Sequence, residues 1–186
     1  GTPLARTSLR ARAQAIGYLP QTPEIAWDVS VETLVSLGRI PWPGAGGSEA
    51  IEAALAAMDL AALRRRPVSR LSGGERARAL MARVLAGEPR WLLADEPLAN
   101  LDLAHAATLV ARFRARAAMG AGVVLVLHDL AQAMNHADRV LVLDSGRLVA
   151  DGSPAEALSE DIIAKVWGVE ARWLGETGSM ALALPA

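Results

Sequence analysis

Short runs of apolar residues separate stretches with helical periodicity along most of the chain. The apolar runs at residues 91–94, 123–127 and 140–143 do not alternate with polar residues, a pattern typical of strands buried on both faces of a parallel sheet. Helical periodicity covers residues 103–119 and 129–137, which lie between those runs. The alternation of the two patterns predicts an α/β fold in which helices cover both faces of a mostly parallel sheet.

The first half of the chain carries shorter signals for strands and helices. Residues 15–20 favour a short strand that ends at a proline. Residues 31–38 favour a helix that the glycine at its end, Gly38, stops. Ser48 is a candidate N-cap for the helix that follows it. A further helix is predicted over residues 75–85, directly after two glycines.

The last third of the chain predicts small elements. Residues 139–152 have an apolar–turn–apolar pattern that predicts a hairpin, which we expect at an edge of the parallel sheet. One or two short helices are predicted from Pro154 onwards, and a small strand pair is predicted within residues 167–185.

Composition and charge narrow the class of protein. The chain has 186 residues, of which 52% are hydrophobic, so we expect a single globular domain with a substantial core. The formal net charge of −1 gives no electrostatic reason to expect a nucleic-acid partner. The absence of cysteine excludes disulfides, thiolate metal sites and a cysteine nucleophile. No apolar run approaches the roughly 18–20 residues that span a bilayer.

Two adjacent carboxylates, Asp95 and Glu96, follow the apolar run at residues 91–94. Ligands of open α/β sheets bind beyond the carboxyl ends of the strands. A carboxylate there suits Mg²⁺, which prefers oxygen ligands. Its neighbour suits the activation of a water molecule for attack on a γ-phosphate. The alternative is that the pair ends a strand by chance or caps the next helix.

Residues 71–75 read Leu-Ser-Gly-Gly-Glu and stand directly before a predicted helix. Gly73 and Gly74 allow the backbone to approach an anion closely, the following helix points its positive end at that anion, and Ser72 adds a hydroxyl group. The alternative is a glycine turn in which Ser72 is an ordinary helix cap.

Three further polar residues are candidates for the same chemistry. His128 follows the apolar run at residues 123–127, where an imidazole can reach a γ-phosphate, although a lone histidine at a strand end is more often structural. Gln21 follows the first predicted strand and offers an amide oxygen to Mg²⁺ or water, although a lone loop glutamine usually has no such role. Asp102 is suited to pairing across a subunit boundary or to capping the helix that begins next to it. His105 and His136 fall within predicted helices and are interpreted as surface residues.

The order and spacing of these five elements resemble the nucleotide-binding subunit of ATP-binding-cassette (ABC) transporters. Gln21 is similar to the Q-loop glutamine, and residues 71–75 are similar to the signature LSGGQ, with Glu75 in place of its glutamine. Residues 91–96 resemble the Walker B strand, with Asp95 as the Mg²⁺ ligand and Glu96 as the catalytic base. Residues 99–102 resemble the D-loop, with alanine where serine is common, and His128 resembles the switch histidine.

The resemblance implies a P-loop NTPase-like sheet with an inserted helical subdomain that carries the signature. It divides one ABC ATPase domain into a core strand and Q-loop at 1–27, the helical subdomain at 28–88, the Walker B, D-loop and histidine core at 89–152, and C-terminal helices and small strands at 153–186. The first four residues, Gly1-Thr2-Pro3-Leu4, resemble a short strand segment of that family.

The resemblance also implies a function and partners. The expected ligands are ATP and Mg²⁺, bound by Gln21, Asp102 and the signature residues Ser72, Gly73, Gly74 and Glu75, with Gln21 and Asp95 serving the metal and Glu96 and His128 serving catalysis. The expected partners are a second copy in a head-to-tail dimer, integral membrane permease subunits and, indirectly, a solute-binding protein. The implied location is the cytoplasmic face of the plasma membrane.

A finer resemblance concerns residues 31–41. They are similar to the segment of iron–siderophore, haem and cobalamin importers in which a V-G-R-x-P run follows the Q-loop, here ending in Gly38-Arg39-Ile40-Pro41. The resemblance implies an importer ATPase for a metal chelate. Two alternatives remain open, a soluble ABC ATPase of DNA repair or translation and a non-catalytic partner, although the chain shows neither the long coiled-coil insertions nor the tandem cassettes of the former.

The P-loop motif of the family, G-x-x-x-x-G-K-[ST], does not occur in the chain. The sole lysine, Lys165, has no glycine loop around it. We expect that a preceding segment carries the P-loop and that the 186 residues by themselves hydrolyse no ATP. A naturally P-loop-less relic is the alternative.

Overall fold

A computed structural model describes residues 3–21, 25, 28–44, 47–99 and 101–185. The chain divides into two compact units, Gly1–Val126 and Leu127–Ala186, and each is described by itself. Two sequence predictions fall partly outside the described residues: Gly1 and Thr2 of the strand-like N-terminal segment, and Asn100 of the D-loop-like segment.

The first unit is built on a three-stranded sheet. Its strands are β1 (Ile16–Leu19), β2 (Trp91–Asp95) and β3 (Gly122–Val126), in the order β1-β2-β3. All pairs are parallel, and the register places Leu19 beside Ala94 and Ala94 beside Leu125. The apolar, non-alternating pattern of the central strand therefore predicted a parallel sheet correctly.

The described residues of the first unit form five α-helices: α1 (Leu9–Ala15), α2 (Val31–Ser36), α3 (Ser48–Ala57), α4 (Gly73–Ala86) and α5 (Leu103–Ala118). Helices α2, α3 and α4 pack against one another, and their facing side chains are among the most deeply buried of the chain. The largest fully buried side chains of the unit include Leu34, Leu55, Leu60, Met81 and Leu92. The core therefore runs from the central strand into the α2–α3–α4 bundle.

Two predictions near helix starts are wrong. Leu4 begins a 3₁₀ helix, Leu4–Arg6, and not a strand, and α1, which the sequence patterns did not predict, follows it. The cap of α1 is Ser8, whose side chain accepts a hydrogen bond from the backbone of Ala11. At the start of α3 the N-cap is Gly47, because Ser48 already has helical geometry and makes no capping hydrogen bond.

Gly38 does not stop α2. The chain continues past α2 as a 3₁₀ helix, Leu37–Arg39, and Gly38 lies inside it. A Cβ atom at Gly38 would lie 2.0 Å from the carbonyl oxygen of Arg83 in α4. The glycine is therefore required by the close approach of two backbones and not by helix termination.

The second unit combines three short helices with two small antiparallel sheets. Its helices are α6 (Leu130–His136), α7 (Pro154–Ala157) and α8 (Glu160–Trp167), and its strands are β4 (Val140–Asp144), β5 (Arg147–Gly152), β6 (Arg172–Leu174) and β7 (Ala181–Ala183). The predicted hairpin and C-terminal strand pair are confirmed as β4–β5 and β6–β7. Within the described ranges, no helix has both the length and the apolar character needed to cross a membrane.

The expected position of the hairpin is wrong. Strands β4 and β5 form a two-stranded sheet of their own and make no ladder with the described strands of the parallel sheet. The buried side chain of β4, Val142, packs in an apolar cluster with Ala157 and Leu158. The short helix α7, which follows β5, therefore covers the buried face of the hairpin.

Candidate functional site

The ends of β1 and β2 bring two predicted site residues into contact. Because the strands are parallel neighbours, their carboxyl ends lie at the same edge of the sheet. Gln21 follows β1 by two residues, and Glu96 follows β2 directly. The Nε2 atom of Gln21 donates a hydrogen bond to Oε1 of Glu96 over 2.6 Å, although 75 residues separate them.

The backbone at Glu96 has a conformation that is unusual for its residue type. Its φ of 49° lies in the left-handed region, which costs a non-glycine residue free energy and is concentrated at functional sites. The amide of Glu96 donates to the carbonyl of Val126, 3.0 Å away, and its own carbonyl accepts from Ala99 over 3.1 Å. These bonds hold the sharp turn after β2 and fix where the carboxylate emerges.

The oxygen atoms at this edge suit a hard divalent cation. Asp95, the last residue of β2, is half-buried. Because Nε2 of Gln21 faces Glu96, the amide oxygen remains as the atom of Gln21 that can face a cation. Carboxylate and amide oxygens are ligands of Mg²⁺, which typically binds through one or two carboxylates together with phosphate oxygens. The donor chemistry of Asp95 and Gln21 therefore fits Mg²⁺.

Residues 72–75 form the first turn of α4. The Ser72 hydroxyl oxygen accepts from the backbone of Glu75 over 3.2 Å, and the Glu75 carboxylate accepts from the backbone of Ser72 over 2.8 Å. This is a capping box, which satisfies two backbone donors of the helix start. The hydrogen bond from the Ser72 backbone to the carboxylate is the main cause that holds the pKa of Glu75 below its ordinary value. The capping function considered for Ser72 is therefore confirmed.

The two glycines lie inside the first turn of α4 and not in a preceding turn. Apart from its chain neighbours and the backbone of its own helix, no described heavy atom lies within 4 Å of the position that a Cβ of Gly73 would occupy. A Cβ on Gly74 would meet only Leu101, at 4.0 Å. Neither glycine has a positive φ. Packing and backbone conformation within the unit therefore do not require glycine at either position, and the bare backbone is open to an external group.

Asp102 is the N-cap of α5. Its carboxylate accepts from the backbone of His105 over 2.9 Å, and a second contact of 2.7 Å joins it to Nδ1 of the His105 ring. The hydrogen bond from the His105 backbone is the main cause that lowers the pKa of Asp102. The expectation that His105 is a plain surface residue misses this contact, although the i, i+3 spacing from a capping aspartate is a signal for it.

The structure thus brings one pair of predicted residues into contact and places the others in further elements. Gln21 contacts Glu96 at the end of the parallel strands, next to Asp95 in the chain. The signature residues 72–75 and Asp102 begin two helices of the same unit. His128 belongs to the second unit, where it is exposed and precedes α6 by two residues.

A model of the family described as ABC transporter matches residues 1–99. The chain belongs to the ABC transporter family. The match covers more than half of the chain and includes the Gln21–Glu96 pair and the signature residues 72–75.

Individual members of the ABC transporter family are similar over most of the chain. The hemin import ATP-binding protein HmuV of Rhodococcus jostii is 43% identical over 160 residues, which are 84% of this chain and 55% of the relative. The protein of the same name from Myxococcus xanthus is 42% identical over 197 residues, which cover 98% of this chain and 73% of the relative. A solved ABC transporter in an inward-facing conformation has a TM-score of 0.78 at 24% identity, covering 92% of this chain and 71% of that one, and thereby supports the fold.

The chain is shorter than these relatives. It spans 55%, 61% and 59% of the length of the HmuV proteins from Rhodococcus jostii, Streptomyces coelicolor and Nocardia farcinica, respectively.

Proposed function

We propose that this chain forms part of the ATP-hydrolysing subunit of an ABC importer that takes up hemin or a related metal chelate. The observation that carries the hydrolytic part is the 2.6 Å contact between Gln21 and Glu96 at the carboxyl ends of two parallel strands. The import of hemin is supported by the names of relatives that are 42–44% identical to the chain.

In this proposal Glu96 is the general base of hydrolysis. Its Oε1 atom accepts the hydrogen bond of Gln21, which orients the carboxylate that would accept the proton of the attacking water. The backbone bond to Val126 holds the turn in which Glu96 lies. A base fixed in this way loses little orientational freedom when the substrate binds.

Asp95 and Gln21 would hold Mg²⁺ together with oxygens of the nucleotide. The metal, when bound, neutralises negative charge on the phosphates. The contact between Gln21 and Glu96 then connects the metal ligand with the base, so that the two groups are positioned by one another.

The start of α4 would contact nucleotide held by a second copy of the subunit. Gly73 and Gly74 present bare backbone at a helix N-terminus, which favours phosphate. The Ser72 side chain lies at the same helix start, where its hydroxyl oxygen accepts from the Glu75 backbone and where the hydroxyl would face the phosphate. In a head-to-tail dimer each signature faces the nucleotide of the other subunit.

The remaining assignments follow from membership of the ABC transporter family. His128 would contact the γ-phosphate, and Asp102 would lie at the subunit boundary. We propose residues 28–88 as the helical subdomain within one ATPase domain, permease subunits as membrane partners, and the cytoplasmic face of the membrane as the location. A solute-binding protein would act indirectly.

The test of the base uses the chain extended at its N terminus by a P-loop segment. Glu96→Gln keeps the shape of the side chain but removes the base, so turnover should fall by roughly 100-fold or more. ATP binding should be unchanged, and sedimentation should show a dimer that persists with ATP. The matched control is Glu49→Gln, which changes an exposed glutamate in α3. Turnover of Glu96→Gln close to that of the control would contradict the assignment.

The chain without such an extension provides the second test. Because phosphoryl transfer depends on the backbone amides and the lysine of a P-loop, a motif that the 186 residues lack, we expect no Mg²⁺-dependent phosphate release from the purified chain. Robust release would show that another group replaces the P-loop.

Loss of growth on hemin as the sole iron source, after deletion of the gene in its host, tests the solute.

A further inference from the structure

The segment of residues 38–42, hereafter the 38–42 link, is attached to the C-terminal end of α4. The Nη1 atom of Arg39 donates to the carbonyl of Ala86 over 3.0 Å and to Glu88 over 2.7 Å. The indole nitrogen of Trp42 donates to the carbonyl of Gly87 over 3.1 Å. The last carbonyls of a helix have no partners within it, so these two side chains form the cap that ends α4.

The same link is attached to α1 on its other side. The carbonyl of Pro41 accepts from Nε of Arg10 over 3.1 Å and from Nε2 of Gln14 over 2.8 Å. Helix α1 leads directly into β1, after which Gln21 follows. The link therefore joins the C-terminal end of α4 to α1, the helix that precedes β1 and Gln21.

Tight packing limits the movement of the link. Gly38 leaves no room for a Cβ against the backbone of Arg83. The Arg39 side chain is only 12% exposed, and its guanidinium carbon lies 5.3 Å from the centre of the Trp42 ring. Arginine in such a stacked position is not replaced well by lysine, because an ammonium group lacks the flat guanidinium that lies over the indole ring.

The finer sequence resemblance now has a physical explanation in these contacts. In the run Gly38-Arg39-Ile40-Pro41, three residues make the close contacts just described, whereas Ile40 is 70% exposed. The run thus specifies the attachment of α4 and leaves one side chain at the surface.

We propose that Arg39 is a positioning residue for the signature, because it sets the position of α4 along the helix axis. Helix α4 has 14 residues, or about 20 Å of rigid helix, and Arg39 holds the end opposite to Ser72 and Gly74. A displacement at the Arg39 end moves the open N-terminal turn by a similar distance. This proposal rests on the function proposed for the signature, namely contact with nucleotide of a second copy.

The test uses the P-loop-extended chain and measures two quantities separately. The first is ATP binding to the single subunit, and the second is the ATP concentration at which half of the protein sediments as a dimer under non-hydrolysing conditions. Arg39→Met removes the donors but keeps an apolar stem, and should raise the dimerisation midpoint about tenfold, as expected for a lost charge-assisted hydrogen bond. Single-subunit binding should stay within about twofold of the parent.

Three further variants make the experiment selective. Arg39→Lys should give an intermediate midpoint, because an ammonium group can donate to the same acceptors but lacks the flat guanidinium that stacks on Trp42. Trp42→Phe keeps an aromatic ring but removes the indole N–H that donates to Gly87, so it should shift the midpoint in the same direction by about threefold even if Arg39→Met does not fold. Ile40→Ala, an exposed neighbour, should behave like the parent.

The outcomes separate this proposal from the function on which it rests. An unchanged dimerisation midpoint in both Arg39→Met and Trp42→Phe would overturn it, and so would an equal loss of single-subunit binding. If Gly74→Asp still dimerises normally with ATP, then the signature does not contact nucleotide in trans, and the proposed function fails instead.

Discussion

The two ends of α4 have opposite physical characters. At the N-terminal end, the helix is capped by its own residues Ser72 and Glu75, and the Cβ position of Gly73 is empty of neighbours in the described part of the chain. At the C-terminal end, the cap comes from distant residues, Arg39 and Trp42, and Gly38 lies against the helix backbone. One end is open and locally satisfied, and the other is closed by tertiary contacts.

Glycine is present at the two ends of α4 for different physical reasons. At Gly38 the reason is internal, since a side chain would collide with the Arg83 carbonyl. At Gly73 and Gly74 no internal reason is found among the described residues. We therefore expect substitutions at the open end to affect function without affecting folding. Substitutions at the closed end should instead destabilise the fold.

The largest expected effect is at the closed end. Gly38→Ala would place a Cβ 2.0 Å from the Arg83 carbonyl oxygen, so that the 3₁₀ helix Leu37–Arg39 and α4 must move apart. We expect a loss of about 3 kcal/mol in the free energy of unfolding, measured by urea denaturation followed by circular dichroism.

The matched control for that substitution is Gly73→Ala in the open turn. It should leave stability unchanged or raise it by up to about 1 kcal/mol, because alanine is the better helix former. Equal effects of the two substitutions would remove the contrast between the ends of α4.

A smaller effect is expected from the local cap. Ser72→Ala removes the oxygen that accepts from the Glu75 backbone, and should lower the free energy of unfolding by about 1 kcal/mol. Ser72→Thr keeps the accepting oxygen and should be nearly neutral. A loss as large as that of Gly38→Ala would show that the open end carries tertiary contacts after all.

The smallest effect is a pH dependence at the same cap. Because the pKa of Glu75 is lower in the folded chain than its unfolded value of about 4.3, its ionised form stabilises the fold above that value. The contribution is lost as the pH falls through the folded pKa. Glu75→Gln should therefore flatten the acid limb of a stability–pH curve slightly, as measured by thermal unfolding in acidic buffers. An unaltered acid limb would mean that the capping carboxylate contributes nothing measurable.

Much of the local structure follows from short-range patterns. The apolar run at residues 91–94 predicted the central strand, and the periodicity at residues 103–119 predicted α5, because the period of buried positions is a property of each element alone. The motif residues 72–75 and the carboxylates Asp95 and Glu96 also stand at a helix start and a strand end, as expected.

Other features depend on residues that are distant in sequence. The 2.6 Å contact between Gln21 and Glu96 is produced by the parallel register of β1 and β2, which no local pattern contains. The separate sheet of β4 and β5 depends on which element covers Val142.

Gly38 shows most clearly the difference between what local sequence predicts and what tertiary packing decides. Sequence alone placed Gly38 at the end of a helix, where glycine is common for conformational reasons. The structure shows that the neighbouring helix requires it, because the carbonyl of Arg83 occupies the space of a side chain. Local periodicity determined the elements of this protein, whereas tertiary packing decided which backbones approach one another and which end of α4 stays open.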